Sequence, residues 1–312
     1  MYGNLFRARS VALSTREQAS AFNHSDKSYT HLEKHYVFLV VRCNFTAQTK
    51  KIQMRQSPHI LISNDDGIHA PGIRALIEVA RQFGDVTVVA PSGPQSGMGH
   101  AISIGKPLRL YQEELGNDLI GYACNGTPAD CVKIATGVIM KEQPDLILSG
   151  INHGANSSVS AIYSGTLSAA REGALQSIPA IGFSFCNFSH EADMSTATEV
   201  ARIVIAKAID NRLQAGHLLN VNVPDVPLSE LKGIKVTRQA NGRWVEEFDE
   251  RKDPYGRTYY WLAGNFSLQD AGEDTDEWAL RNGYASVTPM THDLTAYAES
   301  DKLSAWKLSP NS

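Results

Sequence analysis

The chain has 312 residues, 42% of them hydrophobic and 20% charged, with a net charge of −4. That length allows one large or two smaller globular domains with a sizeable core, and no apolar run reaches the roughly 18 residues that span a bilayer. Residues 1–56 carry nine Lys or Arg against three acids, a net of +6, so the rest carries twenty against thirty, a net of −10; an acidic body argues against a nucleic-acid polymer as main ligand.

The charge step marks a boundary near residue 56. Before it there is no sustained periodicity, only a short candidate strand from Tyr36 to Val41 that stops at Arg42. Charged residues precede that run and no small-residue cleavage site follows it, so it does not read as a secretory signal. The segment contains Arg and Ser and is acid-poor, as transit peptides are. The expectation is instead a disordered extension, or translated sequence upstream of a start at Met54. Cys43, Cys124, Cys131 and Cys186 form no C-x-x-C pair. They read as reduced thiols of a cytoplasmic protein, mostly filling core space.

From residue 58 the pattern is regular. A strand at 59–63 leads to an amphipathic helix at 70–83, then to a strand at 86–90 that Pro91 ends. A Gly-rich loop at 92–100 and two short strands near 106–111 and 119–124 follow. Thr127 as N-cap, with Pro128 in the first helical position, opens a helix to about 141. Next come a strand at 145–149, a polar loop at 150–163, a helix at 164–177, a strand at 180–185, a helix at 191–215 and a strand at 218–223. This alternation predicts an α/β fold, a mostly parallel sheet with helices on both faces. After Pro224, short strands at 234–238, 243–248 and 257–262 predict a β-hairpin excursion over 233–264. A helix at 274–281, a strand at 284–288 and a last helix near 301–307 end the pattern. The hairpin and the tail at 284–312, with Trp306, are candidate oligomer contacts; packing on their own domain is the open alternative. The domain is expected to span 57–312.

The strand at 59–63 ends in Asn64-Asp65-Asp66-Gly67. Two carboxylates at the end of a buried strand are costly unless something positive sits on them, and ligands of open α/β sheets bind beyond the carboxyl ends of the strands. Asp65 and Asp66 are therefore candidate ligands of a metal ion, with a capped, solvated turn as the alternative. Ser96, in the Gly-rich loop, and Asn152, beyond strand 145–149, can add a hydroxyl and an amide oxygen. That set suits Mg²⁺ or Mn²⁺ and lacks the Cys or His of a zinc site. His153 reads as a loop histidine, with a ligand or acid role as the alternative. Ser164-Gly165-Thr166 opens a helix, where backbone N–H groups and hydroxyls favour an anion. There is no Gly-x-Ser-x-Gly elbow, Walker A loop or G-x-G-x-x-G fingerprint. Metal and anion cradle together point to phosphate chemistry.

With these blocks assembled, the sequence resembles the SurE family of metal-dependent nucleotidases. The resemblance rests on Ile62-Ser63-Asn64-Asp65-Asp66-Gly67-Ile68-His69-Ala70-Pro71-Gly72, Val89-Ala90-Pro91 with Gln95-Ser96-Gly97, and Asn125-Gly126-Thr127-Pro128-Ala129-Asp130. It continues in Ser149-Gly150-Ile151-Asn152, Tyr163-Ser164-Gly165-Thr166, Asn220-Val221-Asn222-Val223-Pro224 and Ser286-Val287-Thr288-Pro289, in family order over about 58–300. It implies a Rossmann-like core, an exchanged C-terminal segment and homodimers or homotetramers. It implies one divalent ion per subunit on Asp65, Asp66, Ser96 and Asn152, and phosphate contacts from Asn156, Ser164, Gly165 and Thr166. It implies removal of phosphate from nucleoside 5′-monophosphates by a metal-activated water, with 3′-monophosphates and short polyphosphate as further substrates. Asp65 or Asp66 would take the water's proton. Ser158 stands where the family usually has Gly, which bears on base specificity. The rivals are an aspartyl-phosphate phosphatase, disfavoured because Asp65 and Asp66 are adjacent, and a nucleotide sensor without turnover.

Overall fold

Strands rich in Val, Ile and Leu fill the centre of the molecule. In chain order the strands are β1 (His59–Ser63), β2 (Asp85–Pro91), β3 (Leu110–Glu114), β4 (Ile120–Cys124), β5 (Leu146–His153), β6 (Ala180–Phe185) and β7 (His217–Val223). They continue with β8 (Ile234–Val236), β9 (Gly242–Val245), β10 (Phe248–Lys252), β11 (Thr258–Leu262), β12 (Asn265–Leu268) and β13 (Ala285–Thr291). The helices are α1 (Pro71–Ala80), α2 (Pro128–Ile134), α3 (Ser160–Tyr163), α4 (Gly165–Leu175), α5 (Ser195–Asp210), α6 (Asp276–Arg281) and α7 (Tyr297–Ser304). This computed structural model describes residues 57–245, 248–270, 272–306 and 308, which belong to the unit Ile52–Ser312. The candidate strand at 36–41 and the rest of 1–56 lie outside the described residues.

Nine strands form one sheet in the order β3-β4-β2-β1-β5-β6-β7-β13-β8. Its middle is parallel, from β4 through β7, while β3 and β13 run antiparallel to β4 and β7. The expected α/β architecture is thus the observed one. Strand periodicity explains the layers. On β1, Ile60 and Ile62 face a core shared with Ile73 and Leu76 of α1 and Val200 of α5. Leu61, pointing the other way, joins Cys131 of α2 and Leu167 of α4. Both faces of β1 and β6 are covered, so their sequences read as continuous apolar runs rather than alternating ones. Because β1, β2, β5 and β6 are parallel, the loops after them all open at one edge.

Some bounds differ from the sequence expectation. The helix expected to about 141 is α up to Ile134 and continues as a π-helix over Ala135–Ile139. Strand β5 does not stop at 149 but runs to His153, with its register against β6 slipping between Ser149 and Asn152. The slip follows from Gly150, whose φ is +127° and where a Cβ would lie 2.4 Å from the Phe183 carbonyl oxygen. The last helix lies at Tyr297–Ser304 rather than 301–307. Beyond the sheet, β9 pairs with β12 and β10 with β11, both antiparallel, as two short two-stranded ladders, called the ribbon below. No helix among the described residues is long and apolar enough to cross a membrane.

Candidate active site

The turn after β1 is tied by its own first residue. Asn64 Nδ2 donates to the Gly67 carbonyl at 2.9 Å, and the Gly67 N–H donates back to Asn64 Oδ1 at 3.2 Å. Gly67 has a φ of +103°, which a side chain rarely tolerates. The Gly-rich loop lies along this turn. The Gln95 N–H donates to the Asp65 carbonyl at 2.7 Å and the Ile68 N–H to that of Pro91 at 2.9 Å. Ser96 follows Gln95 directly and is exposed.

Asp65 is 4% exposed and rests against the start of α4. Its Oδ1 accepts the Thr166 hydroxyl. A Cβ on Gly165 would lie 2.6 Å from the Asp65 Cβ, so glycine is what permits this approach. Burial, opposed by the Thr166 bond and reinforced by the Asp66 charge, pushes Asp65 up to about 6. Asp66 Oδ2 accepts the His153 N–H at 3.3 Å, which joins the β1 turn to the end of β5. Asn152 Nδ2 donates to the Gly154 carbonyl at 2.7 Å, leaving Oδ1 outside that bond. The His153 ring stacks at a tilt on His190, with centroids 4.5 Å apart. Burial holds it below the ordinary histidine range, against the pull of Asp66.

At the start of α4, Ser164 Oγ accepts the Leu167 N–H at 3.0 Å, the bond of an N-cap. Its own O–H remains available as a donor, beside first-turn N–H groups that lack helical partners. The Gly99 N–H donates to the Tyr163 carbonyl at 3.0 Å, so the loop that carries Ser96 is stitched to the chain entering α4.

Asn156 is held more tightly than its expected phosphate role requires. Its Nδ2 donates to Ser184 Oγ at 2.8 Å, and its N–H to Asn222 Oδ1 at 2.7 Å. Its carbonyl accepts Asn220 Nδ2 at 2.8 Å, and Asn222 Nδ2 donates to Asn220 Oδ1 at 2.9 Å. This buried ladder fixes the loop after β5 to β6 and β7. Sequence reasoning assigned no role to Ser184, Asn220 or Asn222. The available signal was two Asn residues alternating with Val inside a buried strand, a placement that demands partners.

The contacts therefore bring Asp65, Gly165 and Thr166 together and tie Asp66 to His153, with Asn152 and Ser164 each one residue away. Ser96 lies on the adjoining loop, and its hydroxyl bonds to neither carboxylate. Among the described residues neither Asp65 nor Asp66 has an ion-pair partner, and no three His, Cys, Asp or Glu side chains are grouped for a metal. The residues present fit a hard divalent cation. They offer two adjacent carboxylates, one of them buried and driven toward protonation, with an amide oxygen on Asn152 and a hydroxyl on Ser96 carried by the adjoining loops.

The family model for survival protein SurE matches residues 60–246. The chain is 56% identical over 241 residues to the 5′-nucleotidase SurE of Cytophaga hutchinsonii, covering 77% of this chain and 93% of that one. Against the 5′-nucleotidase SurE of Flavobacterium johnsoniae it is 52% identical over 254 residues, covering 81% and 98%. The crystal structure of SurE protein from Aquifex aeolicus aligns with a TM-score of 0.69 at 40% identity, over 80% of this chain and 100% of the other. The chain belongs to the SurE family.

Proposed function

We propose that this chain, a 5′-nucleotidase like its relatives, removes phosphate from nucleoside 5′-monophosphates at the Asp65–Asp66 edge of the sheet. The observation that carries the reading is the direct contact between Asp65 and the start of α4, through Gly165 and Thr166. A phosphate drawn to that helix start would sit beside two carboxylates, an arrangement that calls for a cation between them. One divalent ion per subunit, Mg²⁺ or Mn²⁺, held by Asp65, Asp66, Ser96 and Asn152, would supply Lewis-acid stabilisation of phosphoryl oxygen and acidify water.

The rest of the chemistry belongs to the chain. The Ser164 hydroxyl and the first N–H groups of α4 hold phosphoryl oxygens as negative charge builds on them. Thr166 holds Asp65 Oδ1, which leaves Oδ2, lying against Gly165, outside that bond. The His153 N–H does the same for Asp66 through Oδ2, leaving Oδ1. One of these two oxygens takes the proton of the attacking water as the bond from phosphorus to O5′ breaks, and that proton passes to O5′, so the nucleoside leaves as its alcohol. Asn156 shapes the loop, with its amide free to offer a second N–H. Nucleoside 3′-monophosphates and short polyphosphate end in the same phosphoryl group and belong in the same substrate panel.

The test is phosphate release from AMP with Mn²⁺ and with chelator, for wild type, Asp65→Asn and Asp66→Asn. Release that needs the ion and falls on the order of 10²–10³ in each variant is expected. Near-wild-type turnover in both variants would sink the metal assignment, and tight AMP binding without release would favour a sensor.

The reading extends to assembly as a homodimer or homotetramer. In its support, Leu294, Tyr297, Trp306 and Leu308 of the terminal segment are exposed apolar side chains, as an exchanged segment would present. Light scattering of the whole protein measures this. A cytoplasmic location accords with Cys124, Cys131 and Cys186, which are free thiols.

A further inference from the structure

Glu172 is a buried carboxylate that the chemistry above does not use. It lies on α4 beyond Thr166, about 9 Å along the helix axis from the residue that bonds Asp65. Three donors converge on it. His100 Nε2 donates to Oε2 at 3.1 Å, while Lys133 Nζ of α2 and Gln176 Nε2 at the end of α4 each donate to Oε1 at 3.1 Å. Facing a carboxylate, the His100 Nε2 carries the hydrogen of its bond. A buried carboxylate is costly without such partners. The donors to Oε1 come from helices. The donor to Oε2 comes from the Gly-rich loop that carries Ser96.

That loop has few other anchors. On its way in, the Ser92 N–H donates to the Cys124 carbonyl and the Gln95 N–H to the Asp65 carbonyl, both at 2.7 Å. On its way out, the Gly99 N–H reaches the Tyr163 carbonyl at 3.0 Å. Between these points Ser96, Gly97 and Met98 are exposed, and a Cβ on Gly97 would meet only open space. Among the described residues 92–100, His100 alone makes a side-chain hydrogen bond. The Ser96 hydroxyl has no bond of its own, so the backbone that carries it sets its place. The next ties lie past His100 and run to α2 instead. There the Ala101 carbonyl accepts Thr127 Oγ1 at 2.7 Å, and the Ser103 N–H donates to Asp130 Oδ1 at 3.0 Å.

We propose that the His100–Glu172 pair positions Ser96 for the metal site by tying the Ser96 loop to the same helix that touches Asp65. The proposal rests on the reading above in which Ser96 and Asp65 hold one divalent ion. Helix α4 serves as the ruler between them. Its start meets Asp65 through Gly165 and Thr166, and Glu172, further along, holds His100. A bond to Glu172 therefore fixes the outgoing end of the loop relative to the Asp65 carboxylate. Without that bond, the stretch from Ser96 to His100 keeps a single backbone bond to the chain entering α4. A neutral hydroxyl on a loop helps an ion only as far as the loop is already in place. Partners that orient a ligand in this way govern metal affinity without touching the metal. His100 and Glu172 are thus positioning residues that act through Ser96.

The test is calorimetric titration of the full chain with Mn²⁺, without substrate. Ser96→Ala and His100→Ala are each expected to raise the dissociation constant about tenfold. His100→Gln, which keeps an N–H donor, is expected to restore most of the affinity. The double variant of Ser96→Ala with His100→Ala should bind no more weakly than Ser96→Ala alone, because the loop then has no ligand left to place. Gln176→Ala removes a donor to the same carboxylate from outside the loop and should leave Mn²⁺ affinity unchanged. Additive losses in the double variant, equal weakening in Gln176→Ala, or wild-type affinity in His100→Ala each overturns the proposal. Hydrogen exchange at the Gly99 amide reads the loop in the ion-free protein. Faster exchange in His100→Ala than in Gln176→Ala or wild type supports the proposal, and unchanged exchange overturns it. A wild type that binds no Mn²⁺, or Ser96→Ala that binds it as wild type does, overturns the ligand set proposed above instead. The exchange measurement then decides alone whether His100 places the loop.

Discussion

The edge of the sheet at β1, β5 and α4 and the ribbon of β9 to β12 are opposites in packing. At the edge, Ser63, Asn64, Asp65, Ser164 and Thr166 are all buried polar residues, and the last four make hydrogen bonds that position them. On the ribbon every residue of β11 is exposed, and the ion pairs of β10 and the tip lie at the surface. Charge development during phosphoryl transfer needs donors and carboxylates fixed before the reaction, which a dense neighbourhood with positioned hydrogen bonds provides. The molecule therefore concentrates its intolerance of change at one edge.

That contrast can be broken or sharpened by substitution. The largest effect is expected for Gly165→Ala, whose added Cβ would drive Asp65 away from α4. Phosphate release should fall about a hundredfold, as displacements of about 1 Å in an active site do, together with a lowered melting temperature. Next comes Asp276→Ala, which strands the buried N–H groups of Ser158 and Ala240. It should cost about 1–3 kcal/mol per stranded group, read by denaturant unfolding, and raise hydrogen exchange at Ala240.

A smaller, pH-dependent effect is expected at Glu172 of α4. Burial there works against the charge, but bonds from His100, Gln176 and Lys133 outweigh it and hold the carboxyl below its usual value. A folded pKa below the unfolded one contributes stability above the ordinary glutamate value, and that stability is lost as pH falls through the folded value. The gap in melting temperature between wild type and Glu172→Gln should therefore be full at pH 7 and close in acid below about pH 4. The smallest effect is expected at the ribbon tip, where Arg257 pairs with Asp253 at 2.8 Å in solvent. Arg257→Ala should leave the melting temperature within error; a clear drop would show that the ribbon is not the tolerant region described.

Much of the edge was legible in the sequence, for local reasons. Strands 59–63 and 180–185 are apolar runs closed by turn residues, and their bounds held. Ser164 read as a helix start because an N-cap needs only its own next three residues. What escaped depends on residues far along the chain. Asn152 and His153 look like loop, yet β5 continues through them because Ser184 and Phe185 of β6 lie alongside. The polar character of Asn220 and Asn222 was visible, but their partner Asn156 was not. Ser158 and Ala240 are joined by the carboxylate of Asp276, later in the chain than both.

The order of the last strands carries a consequence for synthesis. Strand β8 pairs with β13 and with no other strand of the sheet, and Thr237 bonds to Thr288 at 2.8 Å across that seam. On the ribosome, residues 234–236 emerge about fifty positions before the strand that receives them. The parallel centre through β7 can assemble earlier, as each strand follows its neighbour. Strand β8 cannot pair until 285–291 have left the exit tunnel and filled the place between β7 and β8. A nascent chain stalled before residue 285 would thus hold the carboxylate turn and the start of α4 in place, with β8 still unpaired.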